Sequence, residues 1–200
     1  MIISHDHKFI FIHTIKAAGW SIKGGINAFD HDAFVKSRNY PWYNCHMKPH
    51  EIMEKVGKTV WDEYFTFAFV RNPWDWLVSL YHYMMEKEGH WQHQEIAELG
   101  GFDRYIERIC RGRDKGQSKF VIGKDGREII IDFIGRFERL QEDYEKICAR
   151  LEVRAIKLRK VNYSQHKDYR TYYDERLKEL VAKTFAEDIE RFGYEFDGPK

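Results

Sequence analysis

The chain has 200 residues, 43% of them hydrophobic and 32% charged, which is enough to bury one sizeable core and too apolar for a disordered segment. Lysine and arginine number 33 against 32 aspartates and glutamates, so no overall field points to nucleic acid or a membrane surface, and any basic site must be local. Cys45, Cys110 and Cys148 are widely spaced without a C-x-x-C pair, as in reduced thiols of a cytoplasmic protein, no charged-then-apolar leader opens the chain, and no apolar run nears the roughly 20 residues of a membrane helix.

In chain order, the β-branched and aromatic run at 8–13 predicts a strand, and a helix is expected from Gly19 to about Ala28. An aromatic, polar loop over 30–47 and a helix over 50–57 precede a second strand at 65–70. A helix over 74–88 follows, with proline just inside its start, where the missing N–H costs nothing. A charge-rich helical region then extends to about Arg111. FVIGKDGREIIIDF reads as a hairpin because Lys124-Asp125-Gly126 separates two β-branched runs. A helix at 138–150, a short basic strand near Arg154–Leu158 and a polar loop over 162–172 come next. The spacing of Leu177, Leu180, Val181, Thr184 and Phe185 marks a last amphipathic helix ended by Gly193. Strands alternating with helices predict an α/β fold: a single domain over residues 1–200 in three layers, with a central parallel sheet flanked by helices.

Two strand-loop-helix junctions carry the chemistry. In KFIFIHTIKAAGWS the first strand runs into a loop bearing Lys16, Gly19 and Ser21, then a helix N-terminus, an arrangement suited to a phosphate-like anion. It is not G-x-x-x-x-G-K-[ST], since the lysine precedes the glycine. In FTFAFVRNPWDWLVSLYHY the second strand runs into Arg71-Asn72-Pro73, with Ser79 in the following helix. Arginine offers a planar fork matched to phosphate, and serine one more donor. Two such junctions predict two phosphate positions on one nucleotide.

FIHTIKAAGWSI resembles the 5′-phosphosulfate loop, and FAFVRNPWDWLVSLY the 3′-phosphate segment, of sulfotransferases that use 3′-phosphoadenosine 5′-phosphosulfate (PAPS). The similarity is greatest to the carbohydrate branch, with a Golgi-type or 2-O-like pattern, and continues at IDFIGRFERLQEDYEKIC, VNYSQHKDYRTYY and LKELVAKTFAEDIERFGYEFD. The resemblance implies a P-loop NTPase-like sulfotransferase fold and transfer of a sulfuryl group to a hydroxyl of a carbohydrate or glycolipid. It also implies PAPS contacts from Lys16, Ala18, Gly19, Trp20, Ser21, Arg71 and Ser79. In similar proteins a segment past the hairpin closes over the 3′-phosphate, and here Lys167, with Ser164, His166 and Arg170, supplies donors. A short chain without a membrane anchor suggests a bacterial, cytoplasmic enzyme. Two positions depart from the pattern: Trp20 stands where threonine or serine is usual, and Trp76 where the carbohydrate branch has arginine.

Sulfuryl transfer needs positioning and a stabilised leaving oxygen, and Lys16 is assigned to the latter. A sulfuryl group carries less charge than a γ-phosphoryl, so no metal is implied. Ten histidines compete for the general base. His46, in YNCHMKPHEI, resembles the base histidine of uronyl-type 2-O-sulfotransferases, and His13, three residues before Lys16, is its rival. His50 and His82 are expected on helix surfaces, and His5-Asp6-His7 and His90-Trp-Gln-His93 in surface loops without a third metal ligand. Residues 104–127, with eight basic against three acidic side chains, could hold an anionic glycan or form a solvated face, and Tyr40, Trp42 and Tyr43 could stack on a sugar or pack the loop. Two other readings remain: a nucleotide-binding module without catalysis, and a nucleotide-dependent kinase, against which the missing Walker A sequence and magnesium carboxylates argue. The acceptor's identity and the oligomeric state are not legible in the sequence.

Overall fold

Strand pairing sets the architecture in the computed structural model, which describes residues 1–112, 116–159, 161 and 164–198. The elements run β1 (Ile2–Ser4), β2 (Phe9–Ile12), α1 (Gly19–Ile26), α2 (Ala33–Arg38), α3 (Pro49–Val56), α4 (Lys58–Glu63) and β3 (Phe65–Val70). They continue with α5 (Pro73–Glu86), α6 (His93–Glu98), α7 (Phe102–Arg111), β4 (Phe133–Arg136), α8 (Leu140–Arg150), α9 (Glu175–Thr184) and α10 (Ala186–Phe192). The chain divides into two compact units, Met1–Val70 with Gln117–Asn162, and Arg71–Gly116 with Tyr163–Lys200.

The first unit is built on a four-stranded sheet in the order β1-β2-β3-β4. β2, β3 and β4 are parallel, as expected, and β1 adds an antiparallel edge that the sequence did not suggest, so the sheet is mixed. The registers Phe9↔Phe65 and Phe11↔Phe67 bring phenylalanines to one face, where Phe11 and Phe67 stack at 5.3 Å. Ile22 and Ile26 of α1 and Tyr144, Ile147 and Cys148 of α8 cover that face. Ile10, Ile12 and Ala68, which alternate with those rings, are also fully buried, so both faces of the sheet are covered, as parallel strands require. The Tyr144 hydroxyl donates to Gly25 O at 3.1 Å, an approach that a Cβ on Gly25 would block.

Several segments differ from expectation. β1 pairs with β2 on one side, while on the other the Ile3 N–H donates to Ser37 Oγ of α2 at 2.8 Å. α2 thus occupies part of the predicted loop 30–47. The Lys124-Asp125-Gly126 turn forms, with Ile122 bridging Ile129, but the chain beyond it joins β3 as β4. Asp132 directs this: its Oδ2 accepts from both the N–H and the hydroxyl of Thr66 at 2.7 Å. No strand forms at 154–158. There the amide of Gln141 replaces a ladder, accepting from Leu158 N at 2.9 Å and donating to Ile156 O at 3.1 Å.

The second unit is helical among its described residues. α5 opens on Asn72, whose Oδ1 accepts from the Trp74 N–H at 3.1 Å, with Pro73 in the first turn. Its buried face, including Trp74, Leu77 and Val78, packs with Tyr105 and Ile106 of α7 and Val181 of α9. Trp76 sits edge-on against Phe185 at 6.0 Å and is 9% exposed, so this departure from the carbohydrate pattern serves the core. The predicted last helix breaks at Phe185 into α9 and α10, and Gly193 ends it in the left-handed conformation, as expected. Of the predicted loop 162–172, Asn162 and Tyr163 lie outside the described residues, and Tyr169–Tyr172 form a single 3-10 turn.

Candidate functional site

The loop from His13 to Ala18 leaves the C-terminal end of β2 and enters α1, the strand end at which α/β sheets place ligands. Lys16 and Ala18 both have left-handed backbone, with φ of 55° and 64°, a conformation that costs a non-glycine residue about 1–3 kcal/mol and concentrates at functional turns. Neither position is glycine, so only a well-determined loop holds them there. Ala18 caps α1 with no side-chain hydrogen bond, and the first turn carries no acidic residue. The first N–H groups of a helix have no acceptor within it, so those of Gly19, Trp20 and Ser21 offer donors and positive potential to an anion.

Gly19 is required by close approach: a Cβ there would fall inside the His13 imidazole. Burial pushes the His13 pKa down to about 3, so this ring is neutral and acts as packing for the loop. His46 lies beside it, ring centroids 4.8 Å apart, with Nδ1 3.0 Å from the His13 carbonyl oxygen. A carbonyl only accepts, so His46 Nδ1 carries the hydrogen and Nε2 keeps its lone pair. Partial burial holds the His46 pKa below the usual histidine value, with the Lys119 charge adding to this and the His13 carbonyl opposing it. His46 is therefore a neutral imidazole near pH 7. The structure thus brings Lys16, Ala18, Gly19, Ser21, His13 and His46 into one neighbourhood of the first unit. Ser21 is buried, its Oγ accepting from Val161 N at 3.4 Å, whereas the Trp20 ring turns outward and is 47% exposed.

Within the second unit, Arg71 is 5% exposed and its Nε donates to Asp75 Oδ2 at 2.7 Å. Asp75, in the first turn of α5, was not singled out from sequence; an acid four residues after the arginine at a helix start is the signal that marks it. Ser79 is also buried, and its Oγ lies 3.2 Å from Ser164 Oγ, which ties the segment after 163 to α5. Gln165 N strengthens the tie by donating to Glu86 at 2.8 Å. Lys167 is exposed, with its backbone N–H donating to the Tyr172 hydroxyl at 3.3 Å. Arg170 faces Asp168 at 3.3 Å.

Other candidates have structural occupations. His5 engages two phenols, Tyr64 at 2.6 Å and Tyr40 at 2.7 Å, and His93 Nδ1 meets Met84 O at 3.0 Å. Tyr40 stacks on Trp42 at 4.7 Å. His50 and His82 lie on helices but are half-buried, and His82 stacks on His166 at 5.5 Å. A cavity of about 360 Å³, lined by residues such as Lys8, Glu63, Tyr64 and Arg150, opens at the start of β3, the strand end opposite the Lys16 loop. Arg113, Asp114 and Lys115, part of the basic stretch 104–127, lie outside the described residues. Among the described residues, no helix is long and apolar enough to cross a membrane.

Comparison with known proteins adds three findings. The profile of the Sulfotransferase family matches residues 1–195. An uncharacterized protein of the archaeon Archaeoglobus fulgidus is 28% identical over 108 residues, covering 50% of this chain and 78% of its own length. Among solved structures, mouse sulfotransferase SULT7A1 complexed with PAP aligns over 92% of this chain and 84% of its own, at 14% identity and a TM-score of 0.49.

Proposed function

Because the chain belongs to the sulfotransferase family, we propose that it moves a sulfuryl group from PAPS to a hydroxyl of a carbohydrate, using the Lys16 loop for the phosphosulfate end of the donor. The observation that carries this assignment is the left-handed loop at Lys16 and Ala18, leading into a helix start that no side chain caps, beside a neutral His46. Arg71, Ser79 and Lys167 are assigned to the 3′-phosphate on the strength of the family pattern. Asp75 supports the assignment by fixing the Arg71 guanidinium through its Nε.

His46 is the better base. Its Nε2 lone pair takes the acceptor's hydroxyl proton, while an imidazole held near pKa 3, as in His13, is a poor proton acceptor. As the proton leaves, the acceptor oxygen bonds to sulfur, and the bond between sulfur and the bridging oxygen of the 5′-phosphate breaks. Lys16 and the first N–H groups of α1 meet the charge that collects on that oxygen. The products are a sulfate ester and 3′-phosphoadenosine 5′-phosphate (PAP), and His46 then returns its proton to solvent.

Calorimetric titration with PAP and with ATP, followed by radiolabelled sulfate transfer to an acceptor panel, tests the reading. PAP binding with label transfer is the expected result. Preference for ATP would turn the reading toward a kinase, and PAP binding without transfer toward a non-catalytic module. Lys16→Ala should lower kcat on the order of 10²–10³-fold with little change in PAP affinity, as for a group acting in the transition state. Equal loss of both would remove its catalytic role.

A further inference from the structure

One face of α5 is occupied by the chain that follows residue 163. Ser79, His82 and Glu86 recur at the spacing of three and four residues that brings helical side chains onto one face. Each of them meets that chain. Ser79 Oγ lies 3.2 Å from Ser164 Oγ, His82 stacks on His166 with ring centroids 5.5 Å apart at 28°, and Glu86 accepts from the Gln165 N–H at 2.8 Å. Tyr172, from the 3-10 turn, meets the His82 ring edge-on at 5.2 Å, and its hydroxyl accepts from the Lys167 N–H at 3.3 Å. The strap from Ser164 to Tyr172 is thus fastened to α5 on both sides of Lys167, and two histidines lie at the fastening.

Two stacked imidazoles repel once both carry protons. His166 Nδ1 donates to Lys167 O at 2.8 Å, and among the described residues His82 Nε2 is buried without a hydrogen-bond partner, so a proton added there would meet no acceptor. Burial holds the His82 pKa below the ordinary histidine value, the His166 charge adds to this, and Glu86 opposes it. Tyr172 of the 3-10 turn and Tyr81 of α5 are the other titratable groups against the ring, and Asp103 of α7 acts on Tyr81. α6 and α9 meet α5 at other points, through His93 at Met84 O and through Lys178 O at the Trp74 indole. Lifting the strap returns His82 to water, where its proton is solvated. Closure is therefore complete above the ordinary histidine pKa of about 6.5 and weakens as pH falls below it.

We propose that His82 is a positioning residue for the sulfuryl donor: stacked on His166, it latches the strap that carries Ser164 and Lys167, and acid opens the latch. The proposal rests on the sulfotransferase reading for what the strap holds, the 3′-phosphate, and adds how that hold is governed. His82 acts through His166 and the strap. With neutral rings Lys167 is kept in place, and with charged rings the strap lifts and PAP leaves more readily.

The test uses the full chain. Amide hydrogen exchange of residues 164–172 without ligand, corrected for the intrinsic pH dependence of exchange, reads the latch, and calorimetry with PAP reads its effect on the donor site. From about pH 8 to about pH 5.5 the strap should lose protection and PAP affinity should fall about fivefold or more. Protonation of the PAP phosphates contributes to that fall in every variant, so the wild-type change is compared with that of His82→Phe. His82→Phe keeps a ring on His166 and takes no proton, so its strap should stay closed in acid and its PAP affinity should fall less. His82→Ala should expose the strap even at alkaline pH, and His166→Gln, which removes the facing charge, should weaken the acid response. Protection independent of pH in the wild type, an acid response undiminished in His82→Phe, or a closed strap in His82→Ala overturns the latch. Failure of PAP to bind at any pH, with the exchange pattern as expected, would instead strike the sulfotransferase reading, so the two failures are distinguishable.

Discussion

The two strand-loop-helix junctions look alike in sequence and are built differently. The first, around Lys16, is shaped by backbone: two left-handed residues, an uncapped helix start, and a glycine under an imidazole. The second, after Val70, is shaped by side chains: Asn72 caps α5, Arg71 is pinned by Asp75, and Ser79 meets Ser164. A backbone-made site presents donors without a charged side chain to bury and is vulnerable to steric change. A side-chain network is vulnerable to the loss of any one charge, because its partner is then left buried and unpaired.

This contrast can be broken by substitution. The largest effect is expected at His46, the side chain the first junction adds to its backbone. His46→Ala should lose about 10²–10⁴-fold in turnover and with it the acid limb of the pH–rate profile. The base must be neutral to accept a proton, so wild-type activity falls as pH drops through its pKa, and that limb should lie below the ordinary 6.5 because burial favours the neutral ring. A wild-type limb at or above 6.5, or one surviving in His46→Ala, would assign the base elsewhere.

Arg71→Ala should destabilise the protein by about 3 kcal/mol, the low end for breaking a buried pair, since the half-buried Asp75, its side chain 15% exposed, would lose this partner. Chemical denaturation reads this directly. Asp75→Asn in the same background should recover part of the stability without restoring preference for ligands bearing a 3′-phosphate. Gly19→Ala tests the backbone-made junction. Forcing the His13 ring aside should cost roughly 10²-fold in kcat/KM, the penalty of misplacing a reacting group by about 1 Å. If Gly19→Ala behaves as wild type, the loop is looser than its close approach to His13 implies. The smallest effect, about 2 kcal/mol from thermal melting, is expected for Asn72→Ala, which removes a helix cap and the 2.9 Å bond that Asn72 Nδ2 donates to Glu195 O.

What could be read from sequence follows the range of the forces involved. β2 and β3 announce themselves through β-branched and aromatic runs, α5 through Pro73, and the end of α10 through Gly193. These are local signals. β4 was hidden because its pairing with β3 depends on Asp132 reaching Thr66, a contact 66 residues away. The extended run at 154–158 has the composition of a strand, but the Gln141 amide satisfies its backbone where a neighbouring strand would otherwise be needed. Lys16 and Ser21 at the first junction, and Arg71 and Ser79 at the second, could be singled out from the order of strand, loop and helix, and each lies at its junction in the structure. The left-handed turn was not legible, since nothing about lysine or alanine predicts positive φ. Nor was the outward turn of Trp20, which follows from its contacts with Phe34 and Lys23.

The hydroxyl of Ser37 on the Ile3 amide has a consequence for self-association. An edge strand normally offers a row of donors and acceptors that another chain can copy, the usual seed of fibrous growth. Here a helix rests along that border and one serine fills the position a further ladder rung would need. The sheet is stoppered on the β1 side, so two copies of this protein cannot join there by extending one sheet into the next.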